Sequence, residues 1–222
     1  DALPIYPIYY QMDGSGLGIT QELGDSLSLS LGYLASSNND SGPRSGVFNG
    51  PYGALAQLTF EPSKRFKVGF TYINAYNQEG LQGVDTTTLT DYESDSYGVQ
   101  ATLGLGDNLV LGGWGGYTKA RDLNSSGDAE IWNWAVTLGL PDFGKKGNLA
   151  GVIFGMTPKV TDSSIANLSE SRDTSYHIEG FYQHKINDNM SITPGVIWVT
   201  APGNDSRNDD AGIGTLRTNF TF

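Results

Sequence analysis

Residues 26–35 read Ser26-Leu27-Ser28-Leu29-Ser30-Leu31-Gly32-Tyr33-Leu34-Ala35. Leu27, Leu29, Leu31 and Tyr33 share one parity, and Ser26, Ser28, Ser30 and Gly32 share the other. Successive side chains of a β-strand point to opposite faces, so this stretch is a strand with one oily face and one polar face. The chain closes in the same way: Leu216, Thr218, Phe220 and Phe222 oppose Thr215, Arg217, Asn219 and Thr221. A strand with that alternation and a bare terminal aromatic fits the last strand of an outer-membrane barrel, with Phe220 and Phe222 as its assembly signal.

The alternation recurs along the whole chain. Leu17, Ile19 and Leu23 lie on one face of residues 15–23, with Gly18, Thr20 and Glu22 opposite. Residues 51–61 set Tyr52, Ala54, Ala56, Leu58 and Phe60 against Gly53, Gln57, Thr59 and Glu61. Residues 65–76 set Phe66, Val68, Phe70 and Tyr72 against Lys67, Gly69 and Thr71. Equivalent patterns cover 96–105, 131–140, 149–159, 174–186, 190–200 and 212–222. Residues 109–119 (LVLGGWGGYTK) are so glycine-rich that the faces are not assigned there. About eleven strands result, each near the ten residues that cross a bilayer with tilt.

Connections alternate in length. Short ones fall at 24–25, 62–64, 106–108, 141–148 and 187–189; long ones at 36–50, 77–95, 120–130, 160–173 and 201–211. Short periplasmic turns and long external loops are the rule for an up-and-down transmembrane antiparallel barrel, whereas a soluble sandwich has no reason to separate them by end. The expected fold is therefore all-β, with residues 1–222 as one barrel domain. An odd strand count with an inward-running last strand places residues 1–14 in an external loop. It makes this chain the C-terminal part of a larger barrel, or one product of a cut in such a loop, with the earlier part of the same protein as partner.

Composition agrees. The chain has 222 residues, only 38% of them hydrophobic, and no apolar run nears the roughly 18 residues of a membrane helix. It has 30 glycines, 12 tyrosines and 4 tryptophans, which suits turns, strands and interfacial aromatics. Tyr33, Tyr52, Tyr72, Tyr97, Tyr117, Trp132, Trp134, Tyr176 and Trp198 cluster toward the long-loop ends, the place of an aromatic girdle. With no cysteine, disulfides and thiolate metal sites are excluded. A net charge of −11 without a basic stripe excludes a nucleic-acid partner.

The long loops hold most of the acids: Glu79, Asp85, Asp91, Glu93 and Asp95 in one, Asp205, Asp209 and Asp210 in another. An acidic external mouth concentrates cations, although salt screens such a field beyond roughly 8 Å. Glu22, Glu61, Lys67, His177, Glu179, Lys185 and Arg217 fall on the polar parity and are the candidate lumen lining. Charge facing lipid costs about 2–4 kcal/mol at the midplane, so these positions require a wet interior. His177 and Glu179 share a face but lack the third ligand a metal site needs. No histidine accompanies a nucleophile motif. No catalytic residue, metal or cofactor is assigned, and the protein is expected not to be an enzyme.

Several strings are similar to the cyanobacterial iron-uptake porins within the wider carbohydrate-selective porin group: LSLSLGYLAS at 27–36, GVFNGPYGALAQLTF at 46–60, FKVGFTYINAYN at 66–77, LGGWGGYTKA at 111–120, GDAEIWNWAVTLGLPDFGKKGNLAG at 127–151, SITPGVIWVTAP at 191–202 and IGTLRTNFTF at 213–222. The resemblance implies an outer-membrane channel for inorganic ions, iron among them, and small solutes. It also implies an S-layer homology domain and earlier strands ahead of this segment, and a trimer. The expected function is thus passive diffusion through a water-filled lumen with mild cation preference. The alternative is a structural barrel anchoring the envelope to the cell wall.

Overall fold

The computed structural model describes residues 14–36, 39–76, 91–124, 126–166 and 168–221. Eleven strands run in chain order through one antiparallel sheet: β1 Ser15–Glu22, β2 Leu27–Ala35, β3 Tyr52–Ser63, β4 Phe66–Tyr76, β5 Tyr92–Gly104, β6 Val110–Asp122, β7 Asp128–Pro141, β8 Leu149–Ser163, β9 Tyr176–Asn187, β10 Met190–Val199 and β11 Ala211–Phe220. Every strand pairs with its sequence neighbour, as an up-and-down wall requires. Among the described residues β1 and β11 are not paired with each other, so the wall has two open edges. The expected external loop at 1–14 lies outside the described residues apart from Gly14, as do Glu79, Asp85 and Phe222.

Burial is inverted relative to a protein folded in water. Leu17, Val196, Leu216 and Phe220 are each more than 60% exposed, while Gln57, Thr71, Ser96, Gln100 and Asn133 are buried. The Leu31 row is not packed under another layer. It continues across the sheet through Ala56, Tyr72, Tyr97, Tyr117 and Trp132 on one face. A belt of exposed apolar side chains this broad is stable only against hydrocarbon. On the opposite face part of the polar groups pair with one another: Thr71 Oγ1 donates across strands to Gln57 Oε1 at 3.1 Å, Gln57 Nε2 donates along β3 to Thr59 Oγ1 at 3.1 Å, and Ser96 and Thr118 share a hydrogen bond of 2.8 Å, whereas the buried Gln100 side-chain amide has no partner among the described residues.

Register resolves the glycine-rich strand. Gly115 pairs with Val99 and Trp134, and Trp114 with Gln100 and Ala135. Leu111, Gly113, Gly115 and Tyr117 therefore face lipid, and Trp114 faces the interior. The turn between β7 and β8 closes on Asp142, whose Oδ1 accepts the Gly147 amide at 2.6 Å. Gly144 and Gly147 there have φ of 76° and 87°, values that side chains with a Cβ disfavour.

Four strands are longer at their external ends than the alternation predicts. β5 begins at Tyr92, β6 reaches Asp122, β7 begins at Asp128 and β8 reaches Ser163. Glu93 and Asp95 thus stand on a strand, which corrects their assignment to a loop; Asp91 lies just before it. The cause is pairing between polar side chains above the oily belt. Asn74, Asp95, Lys119 and Glu130 form one row on the outward face. Asn74 Nδ2 donates to Asp95 at 3.1 Å and Glu93 at 3.2 Å, and Lys119 pairs with Asp128 at 3.0 Å. The other side of these extensions is closed to water: Ser94, Ala120, Ala129 and Ile131 are each at most 3% exposed.

Candidate pore lining and external mouth

The outward face carries an aromatic ridge at the level where the charged row begins. Ring centroids lie 5.2 Å apart for Tyr72–Tyr97, 6.3 Å for Tyr97–Tyr117 and 4.8 Å for Tyr117–Trp132. Tyr33, Tyr52 and Tyr76 form a second run, at 5.6 and 6.3 Å. Amphipathic rings between an apolar belt and a charged rim mark the hydrocarbon–water boundary. Tyr72 anchors that boundary by donating its hydroxyl to Asp95 Oδ1 at 2.5 Å. Phe60, Phe143 and Phe220 are exposed at the short-turn end.

All seven candidate lining residues sit on the inward parity, in two groups. Glu22 is level with Ser28 and Thr59, and Glu61 pairs with Lys67 at 3.0 Å. These three border a cavity of about 420 Å³ at the short-turn end of β1–β4. On the far side, His177 Nε2 lies 3.1 Å from Glu179 Oε2, and Lys185 pairs with Asp188 at 2.8 Å. The Lys185 ammonium holds the Asp188 carboxyl, in the turn, below the usual carboxylate range. Glu179 and Arg217 share a concavity of about 800 Å³ with Phe181, Gln183, Thr193 and Asn219.

Between the groups, the inward positions of β5 from Ser94 on, of β6 as far as Ala120 and of β7 carry no ionisable side chain; Tyr92 and Asp122 stand at the outer limit of that panel. The panel presents Ser94, Ser96, Gln100, Thr102, Trp114, Thr118, Asn133 and Thr137 among glycines and alanines. The sequence pattern places Gln100, Thr102, Asn133 and Thr137 on the polar parity, but it leaves out Trp114, because the faces of β6 are not assigned by it. The charged lining residues themselves balance, with Glu22, Glu61 and Glu179 against Lys67, Lys185 and Arg217. Among the described residues no group of three or more His, Asp or Glu is arranged to hold a metal ion.

At the external mouth, much of the acidity has structural partners. Asp91 accepts from Arg44 at 2.8 Å. Asp205 is clasped by the Arg207 guanidinium, which holds its carboxyl far below the usual range. Asp173 accepts the Ser206 amide at 2.9 Å, and that bond lowers its pKa as well. Asp210 accepts from Trp198 Nε1 at 3.2 Å and from the Ala201 amide at 3.1 Å. Asp209 is exposed.

The fold is shared with solved outer-membrane proteins. Two structures of OmpT, an outer membrane protein of Vibrio cholerae, superpose with TM-scores of 0.59 and 0.60, at 11% identity and over 93% of this chain and 62% of theirs; the first is described as a trimer form. By sequence, the uncharacterized protein alr4550 of Nostoc sp. is 37% identical over 97% of this chain and 41% of its own length. The uncharacterized protein sll0772 of Synechocystis sp. is 33% identical over 98% and 45%. The chain thus spans less than half the length of the curated relatives it matches. The family described as "Carbohydrate-selective porin, OprB family" matches residues 6–222. Porins are channels of the outer membrane and not catalysts, and the inverted burial of this sheet is what that setting demands. With the family match covering nearly the whole chain, this β-sheet belongs to the OprB family of carbohydrate-selective porins.

Proposed function

We propose that this chain forms a large part of the wall of a water-filled pore through which small polar solutes diffuse passively, neutral hydroxylated molecules foremost. The observation that carries this reading is the uncharged inward panel of β5–β7. Thr102, Trp114 and Thr137, the members of the panel that are only half-buried, offer a passing solute hydroxyl and indole groups as hydrogen-bond partners, and no fixed charge traps or repels it. Other strands of the same protein pair with β1 and β11 to close the wall, and the closed barrels associate as trimers.

A second reading concerns ions. The lining charges balance, so any cation preference arises at the acidic rim, from Glu93, Asp95 and Asp209 acting over a screened distance. Inorganic ions, iron included, then pass by diffusion without a binding site. A structural anchor between envelope and cell wall is the competing role.

The test is the full-length protein in vesicles and planar bilayers. Swelling in uncharged sugars and a reversal potential in a salt gradient of mild cation sign are expected. Absence of conductance would refute the pore in favour of the anchor, and anion preference at low salt would remove the acidic-rim reading.

A further inference from the structure

The inward face changes character toward the external ends of β6–β8. Below, it is polar at Thr118 and Asn133. Above, it turns apolar at Ala120, Ala129, Ile131 and Val160, each at most 3% exposed. An apolar patch facing a wet lumen is unfavourable unless something covers it. The cover is the connection between β8 and β9. Ile165, 4% exposed, packs onto this patch, and Leu168 packs beside it. The connection therefore folds into the mouth instead of standing away from it.

Both ends of that segment are tied down. Ser164 donates its amide to the Asp128 carbonyl at 2.9 Å, and its hydroxyl accepts the Asp128 amide at 2.9 Å. Ser171 donates its amide to the Val160 carbonyl at 2.9 Å, and its Oγ accepts the Val160 amide at 3.0 Å. The remaining tie comes from the loop between β10 and β11. Asn204 is buried, with φ of 57°. Its Oδ1 accepts the Ser175 amide at 2.9 Å, its Nδ2 donates to the Pro158 carbonyl at 2.8 Å, and its own carbonyl accepts the Asp173 amide at 3.0 Å. One side chain joins two loops and the end of β8.

We propose that residues 164–166 and 168–175 form a fixed lip folded into the external mouth, that Asn204 is the positioning residue locking it, and that this lip sets the upper size of solutes entering the pore. The proposal rests on the pore reading above. A lip held by buried backbone hydrogen bonds and an apolar footing keeps one position, so it narrows the entrance constantly instead of gating it.

The experiment compares the full-length protein with Asn204→Gly and Ile165→Asn in planar bilayers, using single-channel conductance and exclusion of neutral polyethylene glycols of graded size. Glycine accepts the left-handed backbone of position 204, so Asn204→Gly removes the side-chain ties without straining the turn. Ile165→Asn loosens the apolar footing independently. Both variants are expected to raise conductance, admit larger polymers and increase open-channel noise, while retaining the heat-sensitive electrophoretic mobility of a folded barrel. Wild-type conductance and an unchanged polymer limit in both folded variants would overturn the lip. A wild-type protein that does not conduct would instead overturn the pore reading.

Discussion

Replacing Val136 by Arg tests the inverted burial directly. Val136 is 53% exposed on the outward face of β7, four residues along the strand from Trp132 in the aromatic ridge. At about 3.3 Å per residue and a strand tilt of about 40°, it lies roughly 10 Å below that ridge. The apolar belt of such barrels is about 25 Å tall, which puts Val136 close to its middle. An Arg at the midplane costs about 2–4 kcal/mol, a reduction of roughly 30- to 700-fold in the folding equilibrium at 1.4 kcal/mol per tenfold. The neighbouring Thr137 points into the lumen, where its hydroxyl overlies Gly112. Thr137→Arg places the same charge in water, at a cost near the about 0.5 kcal/mol of an ordinary surface change. The assay is urea-dependent folding of the full-length protein into vesicles, read by electrophoretic mobility without boiling. Equal midpoints for the two variants, or a larger loss for Thr137→Arg, would refute the assignment of faces and the membrane setting with it.

Further outcomes follow from other parts of the wall. Asp173 and Asp205 have folded-state pKa values below their ordinary ones, held there by the Ser206 amide and the Arg207 guanidinium. Their contribution to loop order is complete above the usual carboxylate range and is lost as pH falls through the depressed folded values. Proteolysis within 201–210 is therefore expected to accelerate in acid relative to pH 7, with an acid-tolerant protease as probe; an unchanged ratio would contradict it. Lipids brominated on their acyl chains should quench tryptophan emission in a way that Trp134→Phe reduces and Trp114→Phe does not. Neutralising Glu93, Asp95 and Asp209 together as Gln, Asn and Asn should move the reversal potential toward zero at low salt and leave it unaffected at high salt. At Gly151 a Cβ would lie 2.4 Å from the Phe181 ring, so Gly151→Val should lower the folding midpoint more than Gly180→Val, where the space is open.

The inward parity of the candidate lining residues was legible in the sequence. The parity of Glu22, Glu61, Lys67, His177, Glu179, Lys185 and Arg217 already places them opposite the oily row, because two faces exhaust the choices a strand offers. β6 was different: glycines occupy both parities, so nothing local distinguishes in from out. Its orientation is settled by register against Val99 and Trp134. Glu93 and Asp95 read as loop because acidic runs usually are solvated. Their strand depends on Asn74 and Lys119, residues about twenty positions away on either side.

The sequence alone determined a repeating strand whose alternate side chains meet oil and water, since the period of two is a local property of the backbone. It likewise determined the alternation of tight turns with long connections, and hence the up-and-down order of the wall. Only the tertiary structure decided where the long connections go. The burial of Ile165 against Ala120 and Ile131, and the three ties made through Asn204, join residues separated by up to 46 positions. Such contacts exist only once neighbouring strands have brought their ends together, so no local pattern records them.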